Sequence, residues 1–109
     1  MKRTKQVRLE AHGWRVDSAQ EFLDLSPEEA ALVETKLRLS RAVRDRRAKL
    51  AQSQATLAKR LHSSQSRVAK MEAADPTVSV DLLLKALFAL GATPRDVATA
   101  IRTPLRSAV

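Results

Sequence analysis

Residues 54–72, QATLAKRLHSSQSRVAKME, contain two helical runs with only about three residues, Leu61, His62 and Ser63, between them. A turn that short forces the two helices to cross sharply, as in a helix-turn-helix. Leu57, Ala58 and Leu61 on the first run can then pack against Val68 and Met71 on the second. Ala58 matters because a small side chain lets the two axes approach closely. The second helix projects outward, and its N-terminal face carries Ser64, Gln65, Ser66, Arg67 and Lys70.

The rest of the chain is punctuated by helix-capping residues. Ser26-Pro27-Glu28-Glu29 combines a serine N-cap, a proline at the first helical position and acids where the helix dipole favours them. Ala30, Leu32, Val33, Leu37, Leu39 and Val43 follow at helical spacing, and residues 27–50 read as either one helix or two broken near Ser40. Ser53 caps a helix over 54–61, Ser64 caps 65–73, and Ser79 caps 80–90 with Gly91 as its stop. Thr93-Pro94 opens a last helix to about residue 101. Ahead of these, residues 18–21 form a capping box opening a short helix to residue 25. Residues 1–17 read as a basic arm, with a strand-like piece around Val7, Leu9, Ala11, Trp14 and Val16. Residues 102–109 read as a frayed tail, and 18–39 as a helical extension ahead of a domain over 40–101.

Only two glycines, four prolines and 3% aromatics remain to build a fold, so the core must be Leu, Val and Ala, which favours an all-α class. Leu82, Leu83, Leu84, Leu87, Phe88 and Leu90 are too many apolar residues for one face of a surface helix, so that helix is buried or meets a partner. There is no cysteine, which excludes disulfides and thiolate metal sites and suits a cytoplasmic location. No apolar run is long enough to span a bilayer, and no secretory signal follows the basic start.

The net charge is +8, and it is concentrated. From Lys36 to Lys70 there are eleven Lys and Arg against Asp45 alone, a run of +10 that leaves −2 for the remainder. Such a run is either a solvated helix face or a surface for a polyanion. The polar face at residues 64–70 favours the second. Gln65 can bond an adenine in two places, and Arg67 and Lys70 can donate to guanine. Serines can bond base edges or phosphate. A helix start also offers free backbone N–H groups to a phosphate, at Ser64 and again at Ser53-Gln54. The DNA-binding set is therefore Ser53, Gln54, Ser63, Ser64, Gln65, Ser66, Arg67 and Lys70. Ser53 and Ser64 also serve as caps.

This segment resembles the lambda/434 repressor–Cro type of helix-turn-helix, the XRE family. The residues that carry the likeness are Arg47, Ser53-Gln54, Leu57-Ala58, Ser64-Gln65-Ser66, Val68 and Met71-Glu72. Pro76-x-Val-Ser and LLLKALFALGAT follow them, so the likeness covers about residues 40–95. It implies a five-helix, lambda-repressor-like DNA-binding bundle, here with an N-terminal helical extension, whose recognition helix over 65–73 enters the major groove. It implies that Gln54 meets a phosphate, that Gln65, Ser66 and Lys70 face base edges, and that Arg47 and Glu72 form a structural ion pair. Three positions depart from the pattern. Ala51 stands for the usual Gly, Gln52 for an apolar residue, and His62 for the turn Gly.

The expected function is that of a sequence-specific DNA-binding transcriptional regulator, a homodimer on double-stranded DNA with a palindromic operator. Residues 18–45, with the arm, also resemble the N-terminal extension of antitoxins of the HigA kind. The alternative is therefore an antitoxin that neutralises a ribonuclease toxin protein and represses its own operon. Neither reading needs a cofactor or a membrane. Two His, no Cys and no Gly-rich phosphate loop leave poor means for catalysis, so no catalytic residue is assigned. His62 has no second metal ligand at suitable spacing, and His12 reads as a surface residue. RNA is a weaker candidate, because single-strand binders use aromatic platforms that this chain lacks.

Overall fold

A computed structural model describes residues 24–105 and contains five α-helices over that stretch, so the all-α class holds. The arm, its strand-like piece, the capping box at 18–21 and residues 106–109 lie outside the described residues. Asp24 and Leu25, expected to end a short helix, stand in a turn and a bend.

The first helix, α1, spans Pro27–Lys49 and is a single helix of 23 residues. Ser26 opens it as a full capping box: the Glu29 N–H donates to Ser26 Oγ at 3.1 Å and the Ser26 N–H donates to Glu29 Oε1 at 3.0 Å. The two-helix alternative fails because residues 28–50 hold no Gly or Pro to break the ladder, and Ser40 turns its side chain into the protein interior. Four shorter helices follow: α2 Gln54–Arg60, α3 Gln65–Glu72, α4 Val80–Ala89 and α5 Pro94–Arg102. Each starts on the residue expected, because Ser53, Ser64, Ser79 and Thr93 all accept a hydrogen bond from the N–H three residues on.

The helix ends explain the small boundary differences. Leu50, Leu61, Ala73 and Leu90 are cap residues just past the last helical one. Beyond each, the chain turns left-handed, with φ of 57° at Ala51, 53° at His62, 57° at Ala74 and 88° at Gly91. The N–H after each left-handed residue returns to a carbonyl five residues back, as in Ser63 to Ala58 at 2.8 Å and Ala92 to Leu87 at 2.9 Å. This closes the helix in a Schellman motif. Four successive helices thus end the same way, and only one uses glycine.

Leu39 and Val43 of α1, Leu57 and Ala58 of α2, Val68 and Met71 of α3, and Leu83, Ala86 and Leu87 of α4 form one buried cluster. Leu61 packs against its edge, so the α2–α3 contact is the one the sequence spacing demands. On α4, Leu83, Leu87 and Leu90 are buried and Leu82 and Leu84 half-buried, while Phe88 is 47% exposed.

Arginines fix the helices relative to one another. Arg46 of α1 donates to the Leu90 carbonyl at 3.1 Å and the Gly91 carbonyl at 3.3 Å, and lies 3.7 Å from Asp96. Arg60 of α2 donates to the Ala89 carbonyl at 2.6 Å. Arg38 of α1 donates to the Ile101 carbonyl near the end of α5. Lys36 donates to the Pro76 carbonyl, just ahead of α4, at 3.4 Å. Helix α1 therefore runs parallel to α4 and antiparallel to α5, with cations on the carbonyl ends, where orphan acceptors and the helix dipole favour them.

Candidate nucleic-acid interface

The N-terminal turn of α3 is open to solvent: Ser64, Gln65, Ser66, Arg67 and Lys70 are all exposed. Ser64 Oγ accepts from the Arg67 N–H at 3.2 Å and lies 3.4 Å from Ser66 Oγ. Ser63 is half-buried in the turn. On α2, Ser53 is exposed, accepts from the Thr56 N–H at 3.0 Å and meets the Thr56 hydroxyl at 3.0 Å.

A chain of polar contacts joins these elements. Arg47 Nε and Nη2 donate to Glu72 Oε2 and Oε1 at 2.5 Å and 2.9 Å, a two-pronged pair that ties α1 to α3. The Glu72 side chain is only 4% exposed and that of Arg47 18%. Arg47 Nη1 also donates to the Gln52 carbonyl at 2.8 Å, which holds the turn after α1. Gln54 Nε2 donates to Glu72 Oε1 at 3.1 Å, and Gln65 Nε2 donates to Gln54 Oε1 at 3.0 Å.

The direction of this chain is dictated by chemistry. An ionised carboxylate only accepts, so it draws the Gln54 –NH₂ inward. The Gln54 carbonyl must then face Gln65 and take a proton from its amide. That bond uses one Nε2 hydrogen of Gln65 and leaves its Oε1 and second Nε2 hydrogen outside the network.

Burial alone would push the Glu72 carboxyl up. Hydrogen bonds from Arg47 and Gln54, with the charges of Arg47 and Arg44, outweigh that and hold it below the ordinary glutamate range. The hydrogen bond to Glu72 raises Arg47 in turn. Both groups are charged at neutral pH.

Two contributions were missed in the sequence. Arg44, exposed on α1, acts electrostatically on Glu72 and so extends the positive surface beside α3. Asp75 pins the loop after α3, its Oδ1 accepting from the Thr77 N–H at 2.8 Å and the Thr77 hydroxyl at 2.6 Å. These bonds from Thr77 hold Asp75 below its usual range. Asp followed two residues later by Thr is a readable Asx-turn signal. Arg44 had no such signal.

The basic run from 36 to 70 divides in two. Arg38, Arg46, Arg47 and Arg60 are spent on internal carbonyls and carboxylates, and Lys36 reaches the Pro76 carbonyl. Arg41, Arg44, Lys49, Lys59, Arg67 and Lys70 are exposed. Among the described residues no cluster of three or more His or acidic side chains could hold a metal ion, and no helix is long and apolar enough to cross a membrane. No family model matches the chain, and neither a curated protein nor a solved structure matches it.

Proposed function

We propose that the protein is a sequence-specific, double-stranded-DNA-binding transcriptional regulator of the lambda-repressor-like kind. Helix α3 enters the major groove N-terminus first. Gln65, Ser66, Arg67 and Lys70 face base edges, and Ser53, Gln54, Ser63 and Ser64 meet the sugar-phosphate backbone.

The observation that carries this reading is the hydrogen-bonded chain Arg47–Glu72–Gln54–Gln65. It ends on an exposed side chain and fixes the orientation of that side chain's amide. An acceptor and a donor pointing outward side by side match the N6 amino group and N7 of adenine. Pre-orienting the amide lowers the side-chain entropy lost on binding. A helix start with no acid in its first turn suits contact with phosphate.

An eight-residue recognition helix reads only a few base pairs, so a second copy is needed for an operator-length site. Two copies related by a two-fold axis read half-sites about one helical turn apart, ~34 Å.

The test is selection from a random duplex pool, followed by titration of the winning duplex and a scrambled one at two salt concentrations. The expected result is a palindromic consensus bound at least ~10³-fold more tightly than scrambled DNA. Equal, salt-abolished binding to both duplexes would mean that the exposed cations attract DNA only non-specifically, and the reading would fall.

A further inference from the structure

Gln65 opens α3 and Glu72 closes it, so the two stand about 10.5 Å apart along the helix axis. The Glu72 side chain is only 4% exposed and has no route of its own to a ligand. It reaches Gln65 through α2: Gln54 Nε2 donates to Glu72 Oε1 at 3.1 Å, and Gln54 Oε1 accepts from Gln65 Nε2 at 3.0 Å. A buried carboxylate at one end of α3 is therefore linked to an exposed amide at the other.

The polarity of this relay has one source. An amide donates from one end and accepts at the other, so a glutamine can sit either way round unless a neighbour decides. Glu72 is ionised and can only accept. Arg47 donates to both carboxylate oxygens and has no acceptor to offer Gln54. Gln54 is thus held with its amino group toward Glu72, and Gln65 must give it an N–H, keeping Oε1 and one N–H for a base. With Gln54 reversed, its amino group would engage Gln65 Oε1 and leave two donors free. Two donors do not match the amino group and N7 of adenine, whereas one donor and one acceptor do.

We propose that Glu72 is a specificity-determining positioning residue: without touching DNA, its carboxylate sets the amides of Gln54 and Gln65 so that Gln65 reads adenine. The inference rests on the DNA-binding reading and adds which buried residue decides the base.

Glu72→Gln replaces one of the two oxygens facing Arg47 by an amino group. The Arg47 Nε contact, at 2.5 Å the shorter of the two, keeps the remaining oxygen. The new amino group then takes the Oε1 place and turns Gln54 round.

The experiment measures the affinity of the full chain for its selected duplex and for duplexes changed only at the base pair that Gln65→Ala ceases to distinguish. Glu72→Gln is expected to lower the preference for adenine there at least ~10-fold. Gln54→Met cuts the relay but leaves the Arg47–Glu72 pair in place, and is expected to lower it about 3-fold. Val33→Ala, a buried change near the start of α1, controls for lost stability and is expected to leave the preference unchanged. A Glu72 that only holds the fold together would weaken all duplexes alike and leave their ratio intact. An intact ratio in either relay variant overturns the proposal, and Gln54→Met decides alone if Glu72→Gln does not fold. A wild-type chain that selects no consensus would sink the DNA-binding reading itself, and this inference with it.

Discussion

Arg47 and Glu72, 25 residues apart in sequence, meet through two hydrogen bonds, and Glu72 passes a third bond to Gln54. The pair therefore works as a clamp between α1 and α3 and as the anchor of the polar chain to Gln65. Removing one partner strands the other in a largely buried place. Glu72→Ala or Arg47→Ala is expected to cost about 3 kcal/mol in urea unfolding. The double variant Arg47→Met, Glu72→Leu is expected to cost less than the two single losses added together. Additive losses would mean that the two side chains do not stabilise each other.

The same carboxylate sets a pH dependence. Its folded-state pKa lies below the ordinary value of 4.5, so the folded state binds fewer protons than the unfolded chain. That contribution is present above the ordinary value and is lost as pH falls through the lowered one. Asp75 acts in the same direction through its bonds from Thr77. Melting temperature is expected to drop below about pH 4.5, and Glu72→Gln should make that drop shallower. Arg47, raised further by its hydrogen bond to Glu72, stays charged throughout and contributes nothing in this window.

Left-handed backbone at a residue with a Cβ costs on the order of 1–2 kcal/mol, partly offset by the entropy glycine loses on folding. Ala51 and His62 are both exposed and left-handed, with φ of 57° and 53°. Ala51→Gly and His62→Gly are each expected to raise stability by about 0.5–1 kcal/mol in denaturant titration. Gly91→Ala should do the reverse by about 1 kcal/mol. An added Cβ there meets nothing within 4 Å, so the loss would come from the backbone at φ +88°. Unchanged midpoints in all three would show that the helix ends relax without strain.

Ser40 sits 2% exposed inside α1, and its hydroxyl has no partner. An unsatisfied buried hydroxyl costs about 1–3 kcal/mol. Ser40→Ala removes it with little change in volume and is expected to stabilise by about 1 kcal/mol. Gln52, where the resemblance leads one to expect an apolar residue, leaves its buried Oε1 unpartnered in the same way. A loss of stability in Ser40→Ala would mean that the hydroxyl is in fact satisfied.

Base readers and backbone contacts should separate in binding. Gln65→Ala is expected to cost about 1–3 kcal/mol on the preferred duplex and nothing on scrambled DNA. A cation that meets phosphate should weaken both duplexes alike and reduce the salt slope by about 1. Arg67→Ala and Lys70→Ala are expected to follow Gln65→Ala, weakening the preferred duplex alone; equal weakening of both duplexes would move that residue to the backbone set. Gln65→Ala weakening both duplexes equally would remove Gln65 from base readout.

The helices were legible because local chemistry marks their starts. Ser26, Ser53, Ser64, Ser79 and Thr93 each satisfy the N–H three residues on, a rule that needs no tertiary knowledge. The buried set on α2 and α3 followed from spacing across a short turn. The Arg47–Glu72 pair came only through the resemblance, since nothing local links residues so far apart. The division of the basic run was not legible. Whether Arg46 or Arg60 faces solvent or caps Leu90 and Ala89 depends on where α4 ends in space.

The unbroken α1 also bears on how such a chain could be cut or recombined. Its N-cap at Ser26, buried Val33 and Leu39, and Arg47 beside Glu72 all belong to one rigid rod of 23 residues. At ~1.5 Å per residue the rod is about 34 Å long. A fragment beginning at residue 40 would lose the capping box and two interior side chains, and would start with open backbone donors against the core. Residues 27–39 are therefore not a detachable appendage. They could not be grafted onto another protein, or trimmed from this one, without carrying the seat of Arg47 along.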